Sequence, residues 1–520
     1  MKKISRKRTI QFWKKSTTFA VLGFALAVVN SLTYKVVPLA IFLAVIETAI
    51  VVFMAIKGNV RSFICFYLLF ASVTIENTLF TEGKHIDEVY SFLNLPGIAY
   101  YHLFFMLFFF YFSLLLSRKK KYVFNVRRDV CLISIFLLGF IMLVYSISIN
   151  DNGLTSIEGM VRFSIIDAYE TLWILFLALI ILFSFDNYPE FKNELKEISI
   201  KTLVGVSLAG IFLFLIGNFS TWSNTKNLIC PLMFFFSPAL ILIALERKNW
   251  LPYFLLGAIS TLVQIKNTLG IPGAFWLYLF LVVLVFYIKF FRNLRRCAKK
   301  PLLFVASIAT LIAIPLVITY LLSLDPDSNY VSFKLRKMVD MLSFEGGFET
   351  WYKSVGNSIG IRVEQFINAF IELVNKPWAF ILGKGYGGTI TRYWGSYNWD
   401  VYGNIYPDLQ VDNKVYSSFL TGIVELIINF GLPGILFVLL LTKNFVVEVF
   451  RKKGSWMYVM GVFWLFVFFY FYNSMAIGLV WFCIGCYERK TKAREVRAVS
   501  PVKKRNTLIS NGPRIVKNNY

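Results

Sequence analysis

Between positions 360 and 388 the chain reads GIRVEQFINAFIELVNKPWAFILGKGYGG: Arg362 opens an amphipathic segment, Pro377 closes it, and Gly383, Gly385, Gly387 and Gly388 follow. An arginine suits phosphate because its planar fork donates two hydrogen bonds and stays charged at any relevant pH. Arg362 is therefore a candidate phosphate ligand, the alternative being one surface arginine among several. Overlapping Gly-x-Gly units at Gly383, Gly385 and Gly387 would let backbone N–H groups come close to an anion. A plain flexible turn is the competing reading, and no Gly-Lys-Ser/Thr follows to make a nucleotide loop. Two carboxylates further on, Asp412 and Glu425, could accept a proton from a hydroxyl. Asp412 could instead cap a helix, and Glu425 could pair with an arginine. An aromatic run comprises Tyr393, Trp394, Tyr397, Trp399, Tyr402 and Tyr406. Its flat faces suit the C–H faces of sugars, with Trp394 and Trp399 as candidate contacts, and they suit a membrane-interface belt equally well.

These residues need elements to hold them. Val363, Phe366, Ile367, Phe370 and Val374 recur at helical spacing, with Asn357 or Ser358 available as cap and Pro377 as stop. A second helix is expected around Val331 to Leu342, where Arg336 is a candidate substrate contact. Residues 411–430 read as a helix on the outer surface, continuous with or hinged to a span beginning near Gly431. All of this falls in 324–430, a segment far longer than an ordinary connection, and loops of that size are usually functional or disordered.

The rest of the chain is membrane anchor. It is 57% hydrophobic and 18% aromatic with only 16% charge over 520 residues, a composition that belongs in lipid. Apolar runs long enough to cross a bilayer are expected near 17–33, 36–56, 62–80, 97–117, 130–149, 165–185, 199–217, 228–245, 250–265, 273–291, 301–323, 431–450, 455–473 and 474–487. The expected fold is thus an all-α polytopic membrane protein of about fourteen spans. A bundle over 1–323 is followed by the long outer loop, further spans over 431–487 and a basic tail over 488–520. Lys and Arg number 54 and the net charge is +25. Alternating sides from an inner amino terminus puts most of these cations in inner connections, as cytoplasmic loops require. Both termini are then cytoplasmic, the long loop is outside, and no nucleic-acid partner need be invoked. The basic stretch ahead of the first run is read as the flank of an uncleaved span. None of the six cysteines lies in the loop, and Cys483 and Cys486 read as small apolar side chains. Glu47, Glu76, Asp167 and Glu170 in or near spans are functional candidates by default, with no spacing that makes a relay.

The order Arg, helix, Pro, Gly-x-Gly, then a polar pair before a helix running into GLPG resembles the large extracytoplasmic loop of the O-antigen polymerase and ligase family. The likeness spans roughly residues 250–450. It implies a bacterial inner-membrane glycosyltransferase that is metal-independent and needs no cofactor. Its donor and acceptor are polyprenyl-diphosphate-linked glycans, and it would work beside a flippase and a chain-length regulator. It also implies that Arg362 is the loop arginine of the family. Lys266, in LVQIKNTLG, takes the place of an outer arginine that follows a serine in the family; the serine is missing here, and interfacial snorkelling is the other account of Lys266. Asp412-Asn413 stands where ligases carry a histidine, which favours a polymerase. A ligase, and from another class a lipid-linked oligosaccharide flippase, are the alternatives. A flippase would need charges along a central path and no long ordered loop.

Overall fold

The computed structural model describes residues 2–34, 36–75, 79–81, 84–86, 100–117, 157–217, 219–220, 228–266, 273–292, 347–354, 357–399, 408–416, 419, 422–451, 454–467 and 476–489, with a few single positions such as Arg336. Among these the chain is mostly helical. The first part contains α1 (Lys2–Thr33), α2 (Val37–Ile56), α3 (Val60–Val73), α4 (Tyr100–Ser117), α5 (Ile157–Asn187), α6 (Phe191–Ile216), α7 (Ala239–Glu246), α8 (Leu251–Lys266) and α9 (Gly273–Arg292). Then come α10 (Gly347–Ser354), α11 (Asn357–Asn375), α12 (Pro377–Leu382), α13 (Asp408–Asn413), α14 (Gly422–Phe450), α15 (Trp456–Val462) and a last helix, α16, over 476–489. Short strand pairs occur at Leu79–Thr81 with Lys84–Ile86, and at Phe219–Ser220 with Leu228–Ile229.

Three of the described helices are long and apolar enough to cross a membrane: Pro38–Ile56, Phe191–Ile216 and Gly422–Phe450. The expected spans at 130–149 and 301–323, the helix around 331–342 and the basic tail lie wholly or almost wholly outside the described residues. The span expected over 228–245 is interrupted. Pro231 leads into a 3-10 turn, Leu232–Phe236, and Ser237-Pro238 precede the eight-residue α7. A proline supplies no N–H and restricts the residue before it, so two prolines seven apart leave no continuous helix. Side chains take up carbonyls of the interrupted turn: Gln264 donates to the Phe234 carbonyl at 2.8 Å and Tyr278 to that of Phe236 at 3.2 Å.

Helix α1 packs along α6. The approach is so close that a Cβ on Gly205 would lie 2.2 Å from the Ala20 carbonyl oxygen, and small residues at the crossing are what bring membrane helices together. The main apolar core runs through α3, α6, α7, α9, α15 and α16. At one end of this bundle charged residues from separate segments meet. Lys196 on α6 lies 3.7 Å from Glu246 and 3.5 Å from Glu488, Lys289 on α9 lies 3.5 Å from Glu246, and Arg489 lies 3.2 Å from Glu448 on α14. The Ser455 N–H donates to Glu448 at 2.7 Å and its hydroxyl to Glu488 at 2.8 Å. These positions belong to or adjoin the connections that the charge count assigns to the inner side.

Candidate functional site

The described part of the long loop folds into a unit with its own core, built by Ile361, Ala369 and Leu373 of α11, Ala379 of α12, Ile390, Trp399, Tyr416, Phe419 and the first turns of α14. Within it, α11 presents Glu364, Asn368 and Glu372 at successive i, i+4 positions, so they form one stripe on a helix. All three are fully buried. The chain from 384 to 399 crosses over this stripe as a strap, running back along the helix.

Each side chain of the stripe holds a part of the strap. Glu372 accepts from the Lys384 ammonium at 2.9 Å, and Lys384 also donates to the Thr389 carbonyl at 2.9 Å and hydroxyl at 3.1 Å. The ammonium's three hydrogens are thus all used, as a buried lysine requires. Lys376 adds a second cation to Glu372 at 2.9 Å. Burial by itself would raise the Glu372 carboxyl, but the two lysines outweigh it and hold it at about 2, below its ordinary 4.5. Asn368 accepts from the N–H groups of Tyr393 and Trp394, both at 2.8 Å, and donates to the Trp394 carbonyl at 2.7 Å. Glu364 accepts from the N–H groups of Ser396 and Tyr397 at 2.6 and 2.7 Å, from the Trp399 indole at 2.6 Å, and from the Tyr352 hydroxyl. Burial, then the bond to the Glu364 carboxylate, pushes the Tyr352 hydroxyl above its usual range. Arg392 closes this end, its Nε 3.5 Å from Glu364 and its guanidinium 6.0 Å from the Trp399 ring centre.

The glycine cluster joins this unit to α14. Gly431 has φ +56° and ψ −132°, which breaks α14, and Pro433 follows inside the helix. Because Pro433 has no N–H, the Asn429 carbonyl loses its helical partner. The Gly385 N–H takes that place at 3.1 Å, and the Lys384 N–H donates to the Ile428 carbonyl at 2.8 Å. The two backbones touch: a Cβ on Gly383, at φ +81°, would lie 2.3 Å from the Asn429 carbonyl oxygen. Gly383 donates its own N–H to Ala379 at 2.8 Å. The N–H groups of Gly383 and Gly385 are therefore committed to helix carbonyls, and Gly387, at φ +73°, is buried beside them. The cluster serves as the seat of the loop on the broken helix.

The other candidate residues are spread over the unit and beyond it. Arg362 is half-buried on α11, with a side-chain direction apart from the Glu364 stripe. Trp399 lies in the core with its indole on Glu364 and its ring 4.5 Å from Tyr416; it faces no solvent. Trp394 is half-buried against Tyr352 at 4.8 Å and Phe348 at 6.1 Å. Asp412 is exposed near the end of the six-residue α13. The helix expected over 411–430 starts only at Gly422, because Lys414 turns the chain at φ +53° and Val415–Tyr416 pairs with Ile390–Thr391. Asp412 is thus not the cap of that helix. Glu425 is half-buried in the first turn of α14, Lys266 closes α8, and Arg336 is helical and exposed. Pro377 ends α11 and also begins α12 at its first position, where the missing N–H costs nothing. Among the described residues no three His, Cys, Asp or Glu side chains gather as metal ligands.

No protein-family model, no curated protein and no solved structure matches the chain.

Proposed function

We propose that this protein is an integral-membrane glycosyltransferase that polymerises polyprenyl-diphosphate-linked oligosaccharide repeats into a bacterial surface polysaccharide, with its site on the loop unit. The observation that carries the reading is the loop itself. Its described part is folded around a buried polar stripe and fixed backbone to backbone on the break of an apolar helix, so cations on it are held near the end of a span. Rigid placement of charge is what transfer from a diphosphate needs. In the reaction an acceptor hydroxyl attacks the donor's reducing-end carbon, the bond from that carbon to the phosphate oxygen breaks, and the diphosphate leaves on its polyprenyl chain. Arg362 and Lys266 stabilise the departing charge, and Arg336 adds to the positive field. The hydroxyl proton passes to Asp412 or Glu425, or to the leaving diphosphate. Trp394 offers its ring to a sugar. The carbohydrate is recognised from the outer side, both termini being cytoplasmic, and the protein works with a flippase and a chain-length regulator.

Cells lacking the protein should accumulate single repeat units on carrier or core. Full-length polymer left unattached would instead assign ligation, and units trapped on the inner face would assign flipping.

A further inference from the structure

Helix α11 carries Ile361, Ala369 and Leu373 into the apolar core of the unit, but its remaining faces are reversed relative to a helix packed in a water-soluble domain. It buries Glu364, Gln365, Asn368 and Glu372, yet Phe366 is 41% exposed and Val374 is 70% exposed. Exposed large apolar side chains over a buried polar core are the informative case in burial, because water penalises both. Phe366, the half-buried Phe370 and Val374 follow one another at i, i+4 spacing, with the two rings 5.0 Å apart. They form a single stripe, and Arg362 stands one turn earlier on that stripe.

The apolar surface continues beyond α11. Phe380, Ile381 (56%) and Leu382 are exposed on α12. The next residue, Gly383, touches Asn429 and Gly431, and immediately past that contact Leu432, Leu436, Leu439 (59%) and Leu440 are exposed on α14. Those leucines belong to a helix long and apolar enough to cross a bilayer. The exposed apolar side chains of the loop unit therefore adjoin the surface that the span offers to lipid, and this continuity selects the occupant.

We propose that the apolar face of α11 and α12 is seated in the outer leaflet of the bilayer that α14 crosses, with α11 lying in the interface as amphipathic helices do. Hydrocarbon covers Phe366, Val374 and Ile381, while the strap and its polar stripe form the water side of the unit. Arg362, at the end of the stripe, then sits at headgroup depth. Taken together with the glycosyltransferase reading, on which this last step rests, that is the depth of the phosphates of a polyprenyl-linked donor, which would reach Arg362 by moving along the membrane.

The test uses the unaltered full chain in nanodiscs of phosphatidylethanolamine and phosphatidylglycerol carrying a diazirine in the acyl chain, with adducts mapped by mass spectrometry after illumination. Adducts on peptides 361–376 and 377–384 are expected at yields within a few-fold of those on 432–441, with 390–399 unlabelled. Adducts confined to 432–441 would overturn the proposal. So would cross-links, made with a short bifunctional photoreagent in unlabelled lipid, that join Phe366, Val374 or Ile381 to a part of the chain outside 347–450 or to a second copy. Neither lipid is a glycan donor, so the result is independent of whether the protein polymerises sugar.

Discussion

The two ionic networks of the molecule are built on opposite plans. At the end of the bundle, Lys196, Glu246, Lys289, Glu448, Glu488 and Arg489 share partners, and several of them retain contact with solvent. Losing Lys196 leaves Glu246 paired with Lys289 and Glu488 bonded to the Ser455 hydroxyl. In the loop unit, Glu372 and Lys384 have essentially no exposure and are tied to each other and to the strap. There Glu372 has Lys376 as a second cation, but neither Glu372 nor Lys384 reaches solvent, and a buried charge that loses its partner is far more costly than a missing surface pair. The bundle is secured by apolar packing with ions at its rim, whereas the loop unit depends on polar groups in its interior.

The largest effect of that difference is expected at the buried pair. Lys384→Met or Glu372→Leu alone should destabilise the loop unit by about 3–5 kcal/mol, read as faster hydrogen exchange or proteolysis over 384–399 with the spans unaffected. The double variant replaces the pair with apolar side chains and should recover much of the loss. Single and double variants that behaved alike would show that Glu372 and Lys384 do not depend on each other.

Acid should weaken the same contact. The folded Glu372 carboxyl is held at about 2 against an ordinary 4.5, so its contribution is present above the ordinary value and is lost as pH falls from there towards 2. Protection of the strap N–H groups, measured in nanodiscs across that window as exchange relative to the intrinsic rate at each pH, should fall in the wild type. The fall should be absent from the Glu372→Leu/Lys384→Met double variant.

The smallest effect is expected at the rim. Lys196→Ala removes one of two lysines from Glu246 and should cost no more than about 1 kcal/mol, visible as a small shift in thermal unfolding that fades with added salt. A loss as large as that of Lys384→Met would make the two networks equivalent and remove the distinction.

What could be read from residues alone follows the same division. Outside the loop, long apolar helices such as α2, α6 and α14 are legible from hydropathy, because a run of that length and composition needs no contact with a distant segment to be recognised. The interruption at Pro231 and Pro238 was also visible in those two residues, although the apolar run around them reads as one span. In the loop, the helix between Asn357 and Pro377 and the glycine cluster after it were legible from capping and turn chemistry. Its orientation was not, because helical spacing of Phe366 and Val374 marks an apolar face without saying what covers it, and the structure leaves both exposed. Glu364, Asn368 and Glu372 repeat every fourth residue, and that repeat is the one signal in the sequence for a buried polar stripe. Nothing local announced that Lys384, between those glycines, would be buried against Glu372. The break between Asp412 and Gly422 depends on the pairing of 415–416 with 390–391, a contact between distant segments that periodicity does not record.

The central claim is that cations held by the loop unit act on a lipid-linked diphosphate, and initial-rate extension of a polyprenyl-diphosphate-linked repeat by purified protein tests it most directly. Arg362→Ala should lower the rate by about 10²-fold or more, as loss of a preorganised charge-stabilising donor does, and Arg362→Lys should fail to restore it if the two-pronged fork is required. Hydrogen exchange over 384–399 should stay unchanged in both variants, which separates this effect from loss of the fold. Extension by Arg362→Ala within a few-fold of the parent rate, or no extension by the parent protein itself, would contradict the account.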